Sequence, residues 1–157
     1  MYFAKLAAAL FLLLALTAPC RAQNNRQTIV GTFYEDRASS FSSTGNIFLA
    51  FAQTPIGQFL NITKFACDIQ LTANQALARV ELNAGTTAGN TDLGRNYPIR
   101  AISSPEVASN GDRYYTIVTN QIYYKFWSGR FPTISVTSSG SQYVYANCII
   151  IGNLSDN

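Results

Sequence analysis

The sequence predicts an all-β domain, an antiparallel β-sandwich of jelly-roll or immunoglobulin-like type, with a small β-barrel as the alternative closure. Three observations predict it. Eight or nine short stretches of the 157-residue chain are strand-like, most of them alternating apolar and polar residues with period two. Clusters of Gly, Asn, Ser and Pro separate those stretches, and no segment carries the 3.6-residue apolar period of an amphipathic helix.

The first segment is an address rather than a structural element. Residues 1–22 combine Lys5, an apolar run over 6–18 and the small-residue ending Cys20-Arg21-Ala22, the three parts of a secretory signal peptide. The run has 13 residues, whereas a membrane-spanning helix needs about 20, so no permanent membrane anchor is expected. Cleavage after Ala22 leaves residues 23–157 as one domain, sent to the periplasm or the extracellular space. A lipidated Cys20 is the alternative, but Pro19 stands where lipoprotein signals carry a small residue.

Strands follow in order. Residues 28–34 are β-branched and aromatic, and 46–52 are apolar on both parities, as in a strand covered on both sides. Between them, the serines of 39–43 read as a flexible loop. Residues 59–71 form a long run expected to bend or bulge near 61–64. Ala78, Val80, Leu82 and Ala84 alternate with Arg79, Glu81 and Asn83 as a half-buried strand. Further strands are expected at 96–102, 113–120, 121–127, 132–138 and 142–151. Asn110-Gly111 marks a tight turn, residues 138–141 should close a hairpin, and the polar 153–157 should fray.

Composition removes several functions. The chain has no histidine, so a Ser-His-Asp triad, a Cys-His pair and an imidazole metal site are all excluded. Eleven basic residues oppose eight acidic ones, but Lys5 and Arg21 leave with the signal, and the mature charge falls from +3 to +1. Its basic residues are dispersed, which argues against nucleic acid as a partner. There is no Gly-x-Ser-x-Gly elbow and no phosphate-cradling glycine loop. Asp92 and Asp112 lie in Asn/Gly-rich loops without the spacing of a calcium loop, so neither metal nor cofactor is expected. Glu35 and Asp36 are adjacent and diverge in an extended chain, reading as a solvated strand end rather than a glycosidase pair. Asn61-Ile62-Thr63 and Asn153-Leu154-Ser155 match the glycosylation acceptor pattern, which matters only in a eukaryotic host.

After cleavage two cysteines remain, Cys67 and Cys148. Each shares its parity with apolar neighbours: Phe65, Ile69 and Leu71 in one case, Val144, Ala146 and Ile150 in the other. A disulfide is the reading for an exported chain, and two separate buried thiols are the alternative.

The end of the chain carries a resemblance. Cys148-Ile149-Ile150-Ile151-Gly152-Asn153-Leu154 follows a Ser/Gly-rich turn and a tyrosine-bearing strand. It resembles the closing Cys-x-Ile-x-Gly-x-Leu strand of small exported bacterial β-sandwich proteins of unknown function. Phe65-Ala66-Cys67 is similar to their earlier cysteine strand, while Asn153 departs from the aromatic residue more often found at its position. The resemblance implies a fold and an export route and no activity.

One region offers a binding surface. Residues 113–127 are dense in aromatics, and alternation puts Ile122, Tyr124 and Phe126 on one face and Tyr123, Lys125 and Trp127 on the other. Tyr143, Tyr145 and Asn147 lie opposite the Cys148 face of the last strand and are candidates for the same outer surface. Aromatic rings beside hydrogen-bonding groups suit the faces of sugars, so Tyr123, Lys125, Trp127, Tyr143 and Tyr145 form the candidate ligand site. Rings of this kind are also favoured in strands for packing alone, and Ile149 and Ile151 continue the tyrosine parity. Part of the face should therefore be covered, by a loop or a partner. The expected function is non-enzymatic surface binding of a carbohydrate or cell-surface ligand. The alternatives are a structural or assembly subunit using this face as a protein interface, and an exported hydrolase.

Overall fold

The computed structural model describes residues 26–99 and 104–156; residues 1–25, with the expected signal segment and Cys20, residues 100–103 and Asn157 lie outside the described residues. All the regular structure is β: β1 Arg26–Val30, β2 Phe33–Ser42, β3 Asn46–Ala50, β4 Gln58–Leu71, β5 Leu77–Gly85, β6 Asn96–Ile99, β7 Glu106–Val107, β8 Arg113–Thr119, β9 Tyr124–Phe126, β10 Phe131–Ser138 and β11 Val144–Asp156. They make two antiparallel sheets that do not close into a barrel. The larger has the order β1-β2-β11-β4-β8-β7, with β9 also paired to β4; the smaller has the order β3-β10-β5-β6.

The core lies between the sheets. The larger sheet contributes Tyr34, Leu60, Ile62, Phe65, Ile69, Ile117, Tyr124, Phe126 and Ile150 from alternate positions, and the smaller sheet contributes Ile47, Leu49, Val80, Leu82, Ile134 and Val136. Phe65, Ile69, Val80, Leu82, Tyr124, Phe126 and Ile150 lie on the apolar parities read from the sequence, whereas Ala78, expected on the buried parity, is exposed next to the register shift between Thr137 and Ser138. Cys67 and Cys148 are directly opposed on the neighbouring strands β4 and β11 and are joined by a disulfide, with Cα atoms 4.1 Å apart. The bridge thus lies within one sheet, on its inner face.

The expected bulge is present. The β4–β11 register runs Ile151↔Lys64 and then Gly152↔Ile62, leaving Thr63 as the extra residue, and this is why Ile62 and Phe65 both point inward. Gly152 sits opposite that bulge, where an added Cβ would stand 2.1 Å from the Asn61 carbonyl oxygen.

Several sequence expectations are corrected. Residues 28–34 are not one strand but a hairpin, because Gly31 takes a positive φ of 58° and turns the chain so that Val30 pairs Phe33. The serines of 39–43 belong largely to β2, where Ser39, Ser40 and Ser42 pair with β11. Residues 46–52 are not covered on both sides throughout, since Phe48 is exposed. Residues 138–141 do not close a hairpin, for β10 and β11 lie in different sheets. Residues 153–156 do not fray but pair with β4 from Asn61 to Gln58. For 39–43, 138–141 and 153–156, local turn or polarity signals are overridden by pairing with distant strands. The Asn110-Gly111 turn is as expected: Gly111 has φ 87° and its N–H donates to the Ala108 carbonyl.

Candidate functional site

The two sheets present different outer faces. On the smaller sheet Ala50, Thr133 and Asn83 form one outward rung, yet all three are buried. The 86–95 loop folds back over this end: Gly89 packs on Ala50, and Asp92 closes the loop by accepting the Thr86 N–H and hydroxyl. Those two hydrogen bonds to the charged form hold the Asp92 carboxyl below its usual range.

The outer face of the larger sheet has no such cover from the described residues. Cross-strand register orders it into rungs. Phe33, Asn153, Asn61 and Lys125 form the first, and Glu35, Ile151 and Lys64 the second. Arg37, Ile149, Ala66 and Val118 make the third, Ser39, Asn147, Asp68 and Thr116 the fourth, and Phe41, Tyr145, Gln70 and Tyr114 the fifth. A shallow depression over the disulfide, lined by Arg37, Ala66, Asp68, Asn147 and Ile149, lies at the centre of this face.

Of the five candidate residues, Lys125 and Tyr145 stand on this face by register and Tyr143 stacks on Phe41 at its edge, while Trp127 turns to the 86–95 loop; the five do not come together. Lys125 shares a rung with Asn61 and Tyr145 with Gln70. Nine residues of β4 separate those rungs, about 30 Å at the rise of a strand. Tyr123 is 89% exposed beside β9. Trp127, 50% exposed, is a clamp: the Arg95 guanidinium lies 5.0 Å from its ring and 5.1 Å from that of Tyr124. The Tyr124 hydroxyl donates to the Arg95 carbonyl at 2.7 Å, so these rings fasten the 86–95 loop to β9. Lys125 places its ammonium 3.8 Å over the Phe59 ring.

At the opposite end, Tyr143 stacks on Phe41 with centroids 6.2 Å apart, next to Tyr145. Tyr114 completes an aromatic band across β2, β11 and β8. Gln70 lies in the middle of the band and donates to Asp112, which also accepts from Asn110. Sequence reasoning missed Phe41 because the flanking serines read as a loop, and Tyr114 because alternation within 113–127 was followed only over 122–127. Extending the β2 alternation Phe33, Glu35, Arg37, Ser39 by one step would have found Phe41.

Asp36 was also misread. Glu35 faces outward as the divergence argument requires, but Asp36 is no solvated strand end: it points between the sheets and is fully buried. Its Oδ2 accepts the Ala52 N–H at 2.7 Å and the Tyr34 hydroxyl at 3.3 Å, tying β2 to the segment after β3, while Oδ1 has no protein partner. Burial pushes the carboxyl pKa up, against the pull of those hydrogen bonds, and burial likewise raises the Tyr34 phenol. Because the folded pKa exceeds the unfolded one, this group's contribution is complete below the unfolded carboxyl range and is lost as pH rises through the folded value. Urea unfolding between about pH 4 and about pH 7 is therefore expected to show stability from this group falling toward neutrality. Asp36→Asn, which keeps an acceptor for Ala52, should flatten that dependence; an unchanged slope would assign it elsewhere.

Among the described residues no helix is long and apolar enough to cross a membrane, and no group of three or more Cys, Asp or Glu stands together as a metal site. No family model, curated protein or solved structure matches the chain.

Proposed function

We propose that the chain is an exported, non-enzymatic binding module that works through the outer face of its larger sheet, and that a protein surface covers this face. The observation that carries the reading is the contrast between the faces. One is lidded at one end by the molecule's own loop, whereas the other leaves Ile149 and Ile151 only partly buried at its centre with Val118 exposed on the same rung as Ile149, and Phe41 and Tyr114 exposed on the fifth rung, beyond the polar fourth. Apolar side chains left open on a sheet face are characteristic of interaction sites. The shallowness of the depression over the disulfide suits a macromolecular surface better than a small ligand, which needs a cleft. The lack of histidine points the same way, away from proton-transfer chemistry.

A carbohydrate or cell-surface glycan is the second reading, favoured by the band of Phe41, Tyr143, Tyr145 and Tyr114 beside the Gln70 amide. A tyrosine-directed label mapped by mass spectrometry in the compartment that receives the protein separates the readings. Tyr114 and Tyr145 should resist the label while Tyr123 reacts. Protection released by soluble polysaccharide would favour the glycan, and tyrosines reacting in proportion to their exposure would overturn both.

A further inference from the structure

We infer that the surface covering the outer face of the larger sheet is a second copy of this chain, related by a two-fold axis running along β11. This inference rests on the protein-interface reading above and goes further by naming the partner and its orientation.

Area suits a reversible pair. About this axis β2, β11 and β4 lie over their exchanged counterparts, and three strands about 4.8 Å apart over nine residues of β2 give roughly 430 Å² of sheet per copy and about 860 Å² across the pair, the low end of interface sizes, where transient complexes lie. Aligned sheets pack about 10 Å apart at a small angle, which keeps the rungs nearest the axis in register.

Charge fixes the orientation. An axis along β11 sets Ile149 and Ile151 on their own copies and exchanges β2 with β4 on every rung. Glu35 then meets Lys64 of the second copy on both sides of the axis, Ser39 meets Asp68 of the second copy, and Arg37 meets the small Ala66 of the second copy. Within one chain Glu35 and Lys64 stand two strands apart, about 10 Å, with Ile151 between them. The one ion pair among the described residues is Arg79–Glu81 on the other sheet, so both charges are available to a partner. The competing two-fold, across the strands along the third rung, would pair Lys64 with Asp68 of the second copy but set Arg37 on Arg37 and leave Glu35 against Ser39; the axis along β11 makes no like-charge contact, and only there does Glu35 meet a cation. In the chosen arrangement Ile149 and Ile151 meet their own copies on the axis, with Asn147 and Asn153 beyond them, and opposite charges flank Ile151 one strand away.

Sedimentation of the protein, purified as the exporting cell processes it, tests the inference across a concentration series. A reversible dimer is expected. Glu35→Lys and Lys64→Glu should each weaken it about tenfold or more, since each change creates two like-charge contacts per dimer. The combined Glu35→Lys/Lys64→Glu protein should recover the dimer, while Phe48→Lys on the smaller sheet should leave it intact. A monomer at every concentration, or a double variant no better than either single, would overturn the second copy. In that event protection of Tyr114 and Tyr145 in place would still report a different protein on the face, and its loss would remove that reading as well.

Discussion

Replacing Cys67 and Cys148 together by alanine is expected to lower the free energy of unfolding by about 4 kcal/mol, the chain-entropy value for a bridge closing a loop of this length. The two residues are 81 positions apart, so the bridge closes a long loop in the unfolded chain, where the entropic effect of a cross-link is large. It joins strands already paired over most of their length and lies against Ile69, Ile117 and Ile150 in the core. Two effects therefore superpose, loss of the tether and loss of buried sulfur. Reducing the wild-type protein isolates the first, because it keeps both side chains. A loss below about 1 kcal/mol on reduction would mean that the β4–β11 ladder, not the bridge, holds these strands.

Gly152→Ala is the second large effect, expected near 3 kcal/mol, at the upper end of overpacking penalties. An added methyl would sit 2.1 Å from the Asn61 carbonyl oxygen, and that neighbour is backbone. Relief requires shifting β4 at its bulge, which carries Ile62 and Phe65 into the core on either side. Gly152 thus has a physical reason: its strand must pass close to a bulged neighbour. Chemical denaturation of Gly152→Ala checks this, and a loss under about 0.5 kcal/mol would show that β4 yields freely.

Much of this architecture is legible in the residues. The parities of β4, β5, β8 and β11 state which side chains are buried, because a strand's period is fixed by its geometry. The bulge near 61–64 shows as two inward apolar residues, Ile62 and Phe65, out of phase. Pairing between distant strands is not legible. Nothing local in Ser39, Ser40, Phe41 and Ser42 announces that β11 will pair with them, nor that Asn153, Leu154 and Ser155 will pair with β4. The candidate site suffered for the same reason. Alternation placed Lys125 and Tyr145 on an outer face correctly, but their separation depends on the register of β9 and β11 against β4. Asp36 was misread because a charged residue in an alternating strand defaults to solvent, while the Ala52 N–H that receives it lies 16 positions away.

The central claim is that the outer face of the larger sheet is a contact surface whose apolar centre is Ile149. Its most direct test is Ile149→Lys, a change on a half-exposed outward position that leaves the core untouched. The variant should unfold within about 1 kcal/mol of the parent. In the receiving compartment, the tyrosine-directed label should now reach Tyr114 and Tyr145, which the parent protects. Full protection retained in a folded Ile149→Lys protein would contradict the account.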